Sequence, residues 1–89
     1  METNIAVKPV GETVLAGDAV TYVDDRAVPH AALVTAPWSP TCANVVYVSD
    51  DANRRDEYGR QIVRETSCTH RDIHTASGRY WFKDGVAKP

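Results

Sequence analysis

The chain has 89 residues, a formal net charge of −2 and 43% hydrophobic residues. That length admits one domain and no more, and the apolar content is too high for a disordered tail. No apolar run approaches the roughly 20 residues of a membrane-spanning helix, and the start, Met1 to Lys8, lacks the basic and apolar regions of a signal peptide, so secretion by that route is not expected. The small negative charge argues against a dedicated nucleic-acid binder, although the charge is unevenly spread. Residues 1–51 hold two basic side chains, Lys8 and Arg26, against seven acidic ones, and residues 52–89 hold eight against five. The halves of a barrel interleave and cancel such an asymmetry; otherwise it favours head-to-tail contact between copies.

Seven aromatics and many β-branched residues favour sheet, and every window long enough for an amphipathic helix breaks at Gly, Pro or Asp. Residues 1–16 read as an extended N-terminal arm containing Pro9 and Gly11, with Val10, Val14 and Leu15 as its anchors to the body. Ala19 to Val23 is the first strand, with Val20 and Tyr22 on one face and Ala19, Thr21 and Val23 on the other. The polar residues Asp24-Asp25-Arg26-Ala27 then predict a hairpin connection. His30 to Thr35 is the second strand, and Pro37-Trp38-Ser39-Pro40 is expected as a loop carrying an aromatic plug, since proline lacks the ladder donor.

Asn44 to Ser49, almost continuously apolar, predicts a third strand covered on both faces. The polar run Asp50 to Glu57 is either a solvated loop or a protruding one that docks on a partner. Gly59 is placed to supply a positive φ for the bend before a fourth strand, Gln61 to Ser67. Gly78 opens a last aromatic strand, Arg79 to Lys83. Five short strands predict an all-β fold, a small SH3-like barrel over residues 17–89, because closure removes exposed sheet edges. Its expected interior is Val20, Leu33, Val46, Ile62 and Phe82.

Chemistry-bearing residues are sparse. Cys42, Cys68, His70 and His74, with His30 as a spare, have the donor types of structural zinc. They lack its paired spacing, so no metal and no cofactor are expected. The two cysteines are read as reduced thiols. A cysteine nucleophile beside His30 or His70, oriented by Asp72, is not supported by any recognisable motif, and no catalytic residue is assigned. Arg54, Arg55, Arg60, Arg64, Arg71 and Arg79 lie near Tyr58, Tyr80 and Trp81 in sequence, the ingredients of a single-strand binder or of a nucleotide pocket.

Val20-Thr21-Tyr22-Val23, an Asp-rich turn and His30-Ala31-Ala32-Leu33-Val34-Thr35 resemble the opening of a family of small phage-encoded SH3-like proteins. The similarity continues in Asn44-Val45-Val46-Tyr47-Val48, Ser67-Cys68-Thr69-His70 and Gly78-Arg79-Tyr80-Trp81, and spans about residues 17–82. The N-terminal arm and the Asp50–Glu57 insertion depart from the plainest members. The resemblance implies the barrel and a phage origin. With no catalytic signature present, the expected role is a virion cement or decoration protein on the outer face of the head. Its expected partners are the major capsid protein and neighbouring copies of itself, arranged as trimers. The interface expected is Ile5, Val7 and Val10 on the arm and Arg54, Arg55 and Tyr58 on the long loop. The alternative is a non-virion accessory protein that binds a nucleotide or single-stranded nucleic acid.

Overall fold

Alternation decides the first strand. β1 (Ala19–Val23) turns Val20 and Tyr22 fully inward, as their spacing predicts. β2 (Pro29–Ser39) and β3 (Cys42–Val48) follow, then a small hairpin of β4 (Arg55–Asp56) and β5 (Gly59–Arg60), then β6 (Ile62–Thr69) and β7 (Tyr80–Lys83). The computed structural model describes residues 11–73 and 78–83. Five strands form one antiparallel sheet in the order β6-β3-β2-β1-β7, and β4 and β5 pair separately.

The sheet's two ends meet. The Trp81 indole N–H donates to the Cys68 carbonyl at 2.8 Å, Arg71 N–H donates to the Trp81 carbonyl at 3.0 Å, and His70 bridges to Trp81. A meander whose last strand returns beside its first, with both edges drawn together, is the small barrel expected from the sequence.

Bulges supply the curvature. The β2–β3 register slips between Val34 and Ala36 and again between Pro37 and Ser39. On β6, Thr66 and Ser67 crowd opposite Asn44, and Ser67 takes a positive φ of 52°. The Asn44 side-chain oxygen holds that bulge, accepting Ser67 N–H at 2.8 Å and the Trp38 indole N–H at 2.9 Å. The expected loop at Pro37 to Pro40 is therefore corrected. β2 runs through Pro37 because the proline falls at an irregularity, where no ladder donor is needed. Trp38 is 63% exposed and braces the bulge instead of plugging the interior.

The interior also differs from the expected list. Val20 is in it, but Leu33 and Ile62 are exposed and Val46 and Phe82 only half-buried. The core is Val14, Val20, Tyr22, Ala32, Val34, Ala43, Val45, Cys68 and Trp81. The register explains this: Val20 lies opposite Ala32, and Tyr22 lies opposite Trp81. Opposed residues share a face, so Leu33, opposite Ala19 and Val46, belongs to the outside. The third strand is accordingly covered on one face, with Val48 exposed.

Of the expected arm, residues 11–16 are tied to the barrel, while Ile5, Val7 and Val10 lie outside the described residues. Gly11 N–H donates to Asp72, Glu12 N–H to the Pro40 carbonyl and Gly17 N–H to the Val34 carbonyl. A Cβ at Gly11 would overlap the Pro40 carbonyl oxygen, and its φ is +83°, so only glycine fits there. Val14 is buried and Leu15 is not.

Candidate functional site

Two histidines anchor buried acid–histidine latches at separate places on the barrel. Asp24 opens the β1–β2 turn. Its Oδ1 accepts the backbone N–H groups of Arg26 (2.8 Å) and Val28 (3.0 Å), and its Oδ2 accepts His30 Nε2–H at 2.8 Å. Burial works to raise the Asp24 carboxyl, and the His30 bond with the two backbone donors outweighs it, holding the group below its ordinary value. His30 Nδ1 lies 3.5 Å from Asp50. The His30 ring also packs on Tyr47, with centroids 4.1 Å apart, and Tyr47 stacks on Tyr22 at 5.3 Å.

The second latch joins the N-terminal segment to the barrel closure. Glu12 Oε1 accepts His70 Nε2–H at 2.9 Å and Lys83 N–H at 2.7 Å. His70 Nδ1 accepts Asp72 N–H at 3.0 Å, which fixes the tautomer with its proton on Nε2. Burial again pushes the Glu12 carboxyl up, and Lys83 N–H, His70 and Arg71 together bring it below its usual value. His70 is thus occupied on both nitrogens and stands edge-on against Trp81.

Beside the first latch lies a cleft of about 550 Å³. It is lined by Tyr47 and Val63, by Arg26 and Arg54, and by Asp24, Asp50, Asp51 and Glu65, with the Arg26 guanidinium 3.9 Å from the Asp24 carboxylate. Most of these carboxylates are already engaged: Asp24 in its turn, Asp51 with Asn53 N–H, and Glu65 with the Arg79 guanidinium at 2.8 Å. Neither cysteine lines this cleft.

The zinc-like donors do not converge. Cys42 and Cys68 are free thiols near the end of the barrel that carries His70, His30 is held in the other latch, and His74 lies outside the described residues. Among the described residues no three His, Cys, Asp or Glu side chains stand together as a metal site would require. Burial pushes the Cys68 thiol up to about 11, away from the thiolate that a nucleophile needs. Asp72 accepts Gly11 N–H and lies 3.5 Å from His70 Nδ1.

The Asp50–Glu57 run is more ordered than a plain loop. Ser49 Oγ accepts Asp51 N–H, Asp51 Oδ1 accepts Asn53 N–H, and Asp56 Oδ1 accepts Tyr58 N–H at 2.8 Å. Gly59, at φ 118°, completes the turn as its position predicts. The hairpin is closed at its base by Gln61 N–H donating to the Arg54 carbonyl. Arg55 lies directly opposite Arg60, and Tyr58 at the tip is 88% exposed. No carboxylate among the described residues is within ion-pair distance of Arg54, Arg55 or Arg60. The structure therefore brings together Arg54, Arg55 and Tyr58 of the expected interface and adds Arg60.

The remaining arginines and aromatics scatter. Arg79 pairs with Glu65, Arg71 covers the Phe82 ring at 4.5 Å, and Trp81 is core. The ingredients of the alternative, a basic groove with aromatic platforms, are thus divided among separate places. The Glu12–His70 latch escaped sequence reasoning because its partners are 58 positions apart, and the Asp24–His30 latch, six positions apart, was read only as a polar turn followed by a strand. No protein-family model, curated protein or solved structure matches this chain.

Proposed function

We propose that this chain is a phage virion structural protein, a cement or decoration protein that binds the outer surface of the head and bridges capsid subunits. The observation that carries the reading is the β4–β5 hairpin. It presents an exposed tyrosine and three arginines that have no ionic partner among the described residues. Like charges placed directly opposite across a hairpin repel, so the Arg55–Arg60 pair is stabilised when an acidic surface supplies the countercharge. Tyr and Arg are also the residue types that dominate interface hot spots. The hairpin's internal bonds hold it in shape before contact, which limits the ordering cost of docking.

The phage setting is supported by the resemblance of residues 17–82 to small phage-encoded SH3-like proteins. On this reading the barrel is the rigid spacer, the hairpin seats on carboxylates of the major capsid protein, and Ile5, Val7 and Val10 clamp a neighbour. Mass spectrometry and cryo-electron microscopy of purified particles test it: the chain is expected in many copies on the head, and its absence from the particle would overturn the reading. Arg55→Ala with Tyr58→Ala is expected to abolish binding to undecorated heads while leaving the barrel folded.

The second reading, a non-virion accessory protein that sequesters a nucleotide, draws on the cleft. Arg26, Arg54 and Tyr47 line it together, a combination suited to phosphate and base. The four carboxylates around them outnumber the two arginines and repel phosphate, which places this reading second. A thermal shift of several degrees with a nucleotide, absent with inorganic sulfate, would reverse the order.

A further inference from the structure

We infer that the open edge of β6, together with the apolar strip beside it, is a self-association surface on which a second copy of this chain pairs β6 against β6. Among the described residues, β6 from Ile62 to Glu65 pairs only with β3. Ser49 N–H donates to the Gln61 carbonyl at 2.8 Å, so Gln61 turns its carbonyl toward β3 while its N–H closes the hairpin base on Arg54. Antiparallel ladders alternate. Val63 and Glu65 therefore also face β3, while Ile62 and Arg64 point their N–H and C=O groups out of the sheet.

Next to this edge the outer face is apolar. Leu33 (49% exposed), Val48 (54%) and Ile62 (55%) border a groove of about 280 Å³ with Ala19, Ala31 and Val46. Val48 lies opposite Ile62 and Val46 opposite Arg64, so the strip runs to the open strand without interruption. An exposed edge flanked by apolar side chains is a template for another strand. A partner strand satisfies the backbone groups and covers the end of the strip at once.

The sequence of β6 selects a second copy as that strand. A two-fold axis through Val63 sets Ile62 opposite Arg64 of the second copy and Gln61 opposite Glu65 of the second copy. No like charges face each other in that register. Ile62 packs on the aliphatic stem of the opposing arginine, and the outward backbone groups of Ile62 and Arg64 bond reciprocally. An axis through Arg64 would oppose two guanidinium groups, one through Glu65 two carboxylates, and one through Ile62 would set Arg60 opposite Arg64 of the second copy, so these registers are rejected. The contact is self-complementary, as an isologous interface requires. It produces two-fold pairs rather than the three-fold arrangement expected from the sequence. The edge and strip fall short of the roughly 800 Å² per partner of a tight complex, so the dimer is weak and concentration-dependent.

This deepens the self-association part of the proposed function and stands apart from its docking part. It is tested on the purified full chain, so its failure leaves the hairpin reading untouched. Sedimentation velocity from about 1 to about 500 µM spans the range of such weak contacts. The expected result is a monomer shifting toward dimer mass, with slower hydrogen exchange at the Ile62 and Arg64 amides at high concentration. Ile62→Lys is expected to weaken the dimer about tenfold or more with an unchanged far-ultraviolet spectrum, because the side chain already faces water. A monomer throughout, a dimer in which those two amides exchange at the monomer rate, or a dimer indifferent to Ile62→Lys would each overturn the inference.

Discussion

Removing the Asp24 carboxylate is the sharpest test of how the barrel is held. In Asp24→Ala the buried His30 loses its partner at 2.8 Å, and the Arg26 and Val28 N–H groups lose theirs. A bond from a buried imidazole to a carboxylate is worth about 2–3 kcal/mol when one partner is deleted, and turn amides that regain water about 0.5 kcal/mol each. The expected cost is therefore about 3–4 kcal/mol, against a total stability of about 5–10 kcal/mol for a domain of this size. Urea denaturation at neutral pH measures it, with the midpoint falling and the slope unchanged.

Asp24→Asn guards against a variant that fails to fold, since its amide oxygen still accepts the turn amides; its expected cost is about 1 kcal/mol. The carboxyl is held below its ordinary 3.8 in the folded chain, so the unfolded chain binds the proton more readily. Its stabilisation is complete above that ordinary value and is lost as pH falls through the lowered folded value. The gap between wild type and Asp24→Asn should close over that acid range. A cost below 1 kcal/mol for Asp24→Ala, or a gap that persists undiminished to pH 2, would refute the latch.

Gly11→Ala should cost about 2–3 kcal/mol, because it adds the overlap with Pro40 to the left-handed backbone penalty. Gly17→Ala, at φ +95° with open space around it, should cost only about 1 kcal/mol; thermal melts of the two should differ accordingly. Ala27 sits at φ 66° in the β1–β2 turn, so Ala27→Gly should raise stability by about 0.5 kcal/mol, read as a melting point higher by about 2–4 °C. In thiol titration of the native protein Cys42 should react first. Cys68, buried and with its thiol pushed up to about 11, should label only as the chain unfolds.

The strands were legible from residue pattern, and β1 was legible in its bounds and in the inward placing of Val20 and Tyr22, although Val23, read on the opposite face, is buried as well. Parity failed on β2 and β3. Ala31-Ala32-Leu33-Val34 and Val45-Val46-Tyr47-Val48 are apolar at every position, so neither face announces itself. Leu33 was expected inside, yet Ala32 is the residue that lies opposite Val20 and Tyr47 and is buried, while Leu33 lies opposite Ala19 and Val46 and is exposed. The bulges compound the problem, since each extra residue inverts the inward and outward order beyond it. Trp81 inside and Phe82 outside follow from pairing with Tyr22 and Thr21, which three consecutive aromatics cannot reveal. At the candidate interface, Arg54, Arg55 and Tyr58 were legible as residue types in a polar run. The opposition of Arg55 and Arg60 was not, because it depends on a two-residue strand pair.

Stability and docking are assigned to different residues here, and the small core explains why. With Ala32, Ala43 and several valines at its centre, the barrel buries little apolar volume per residue. The latches of Asp24–His30 and Glu12–His70 supply fixed geometry at places where the core gives none. The β4–β5 hairpin contributes no residue to the core cluster, and its side chains are exposed throughout. Substitutions at Arg55, Tyr58 or Arg60 should therefore alter the proposed docking surface at almost no folding cost, typically within about 0.5 kcal/mol for exposed positions. If Arg55→Ala unfolded the barrel, the hairpin would be part of the scaffold, and the separation on which the proposed function rests would fail.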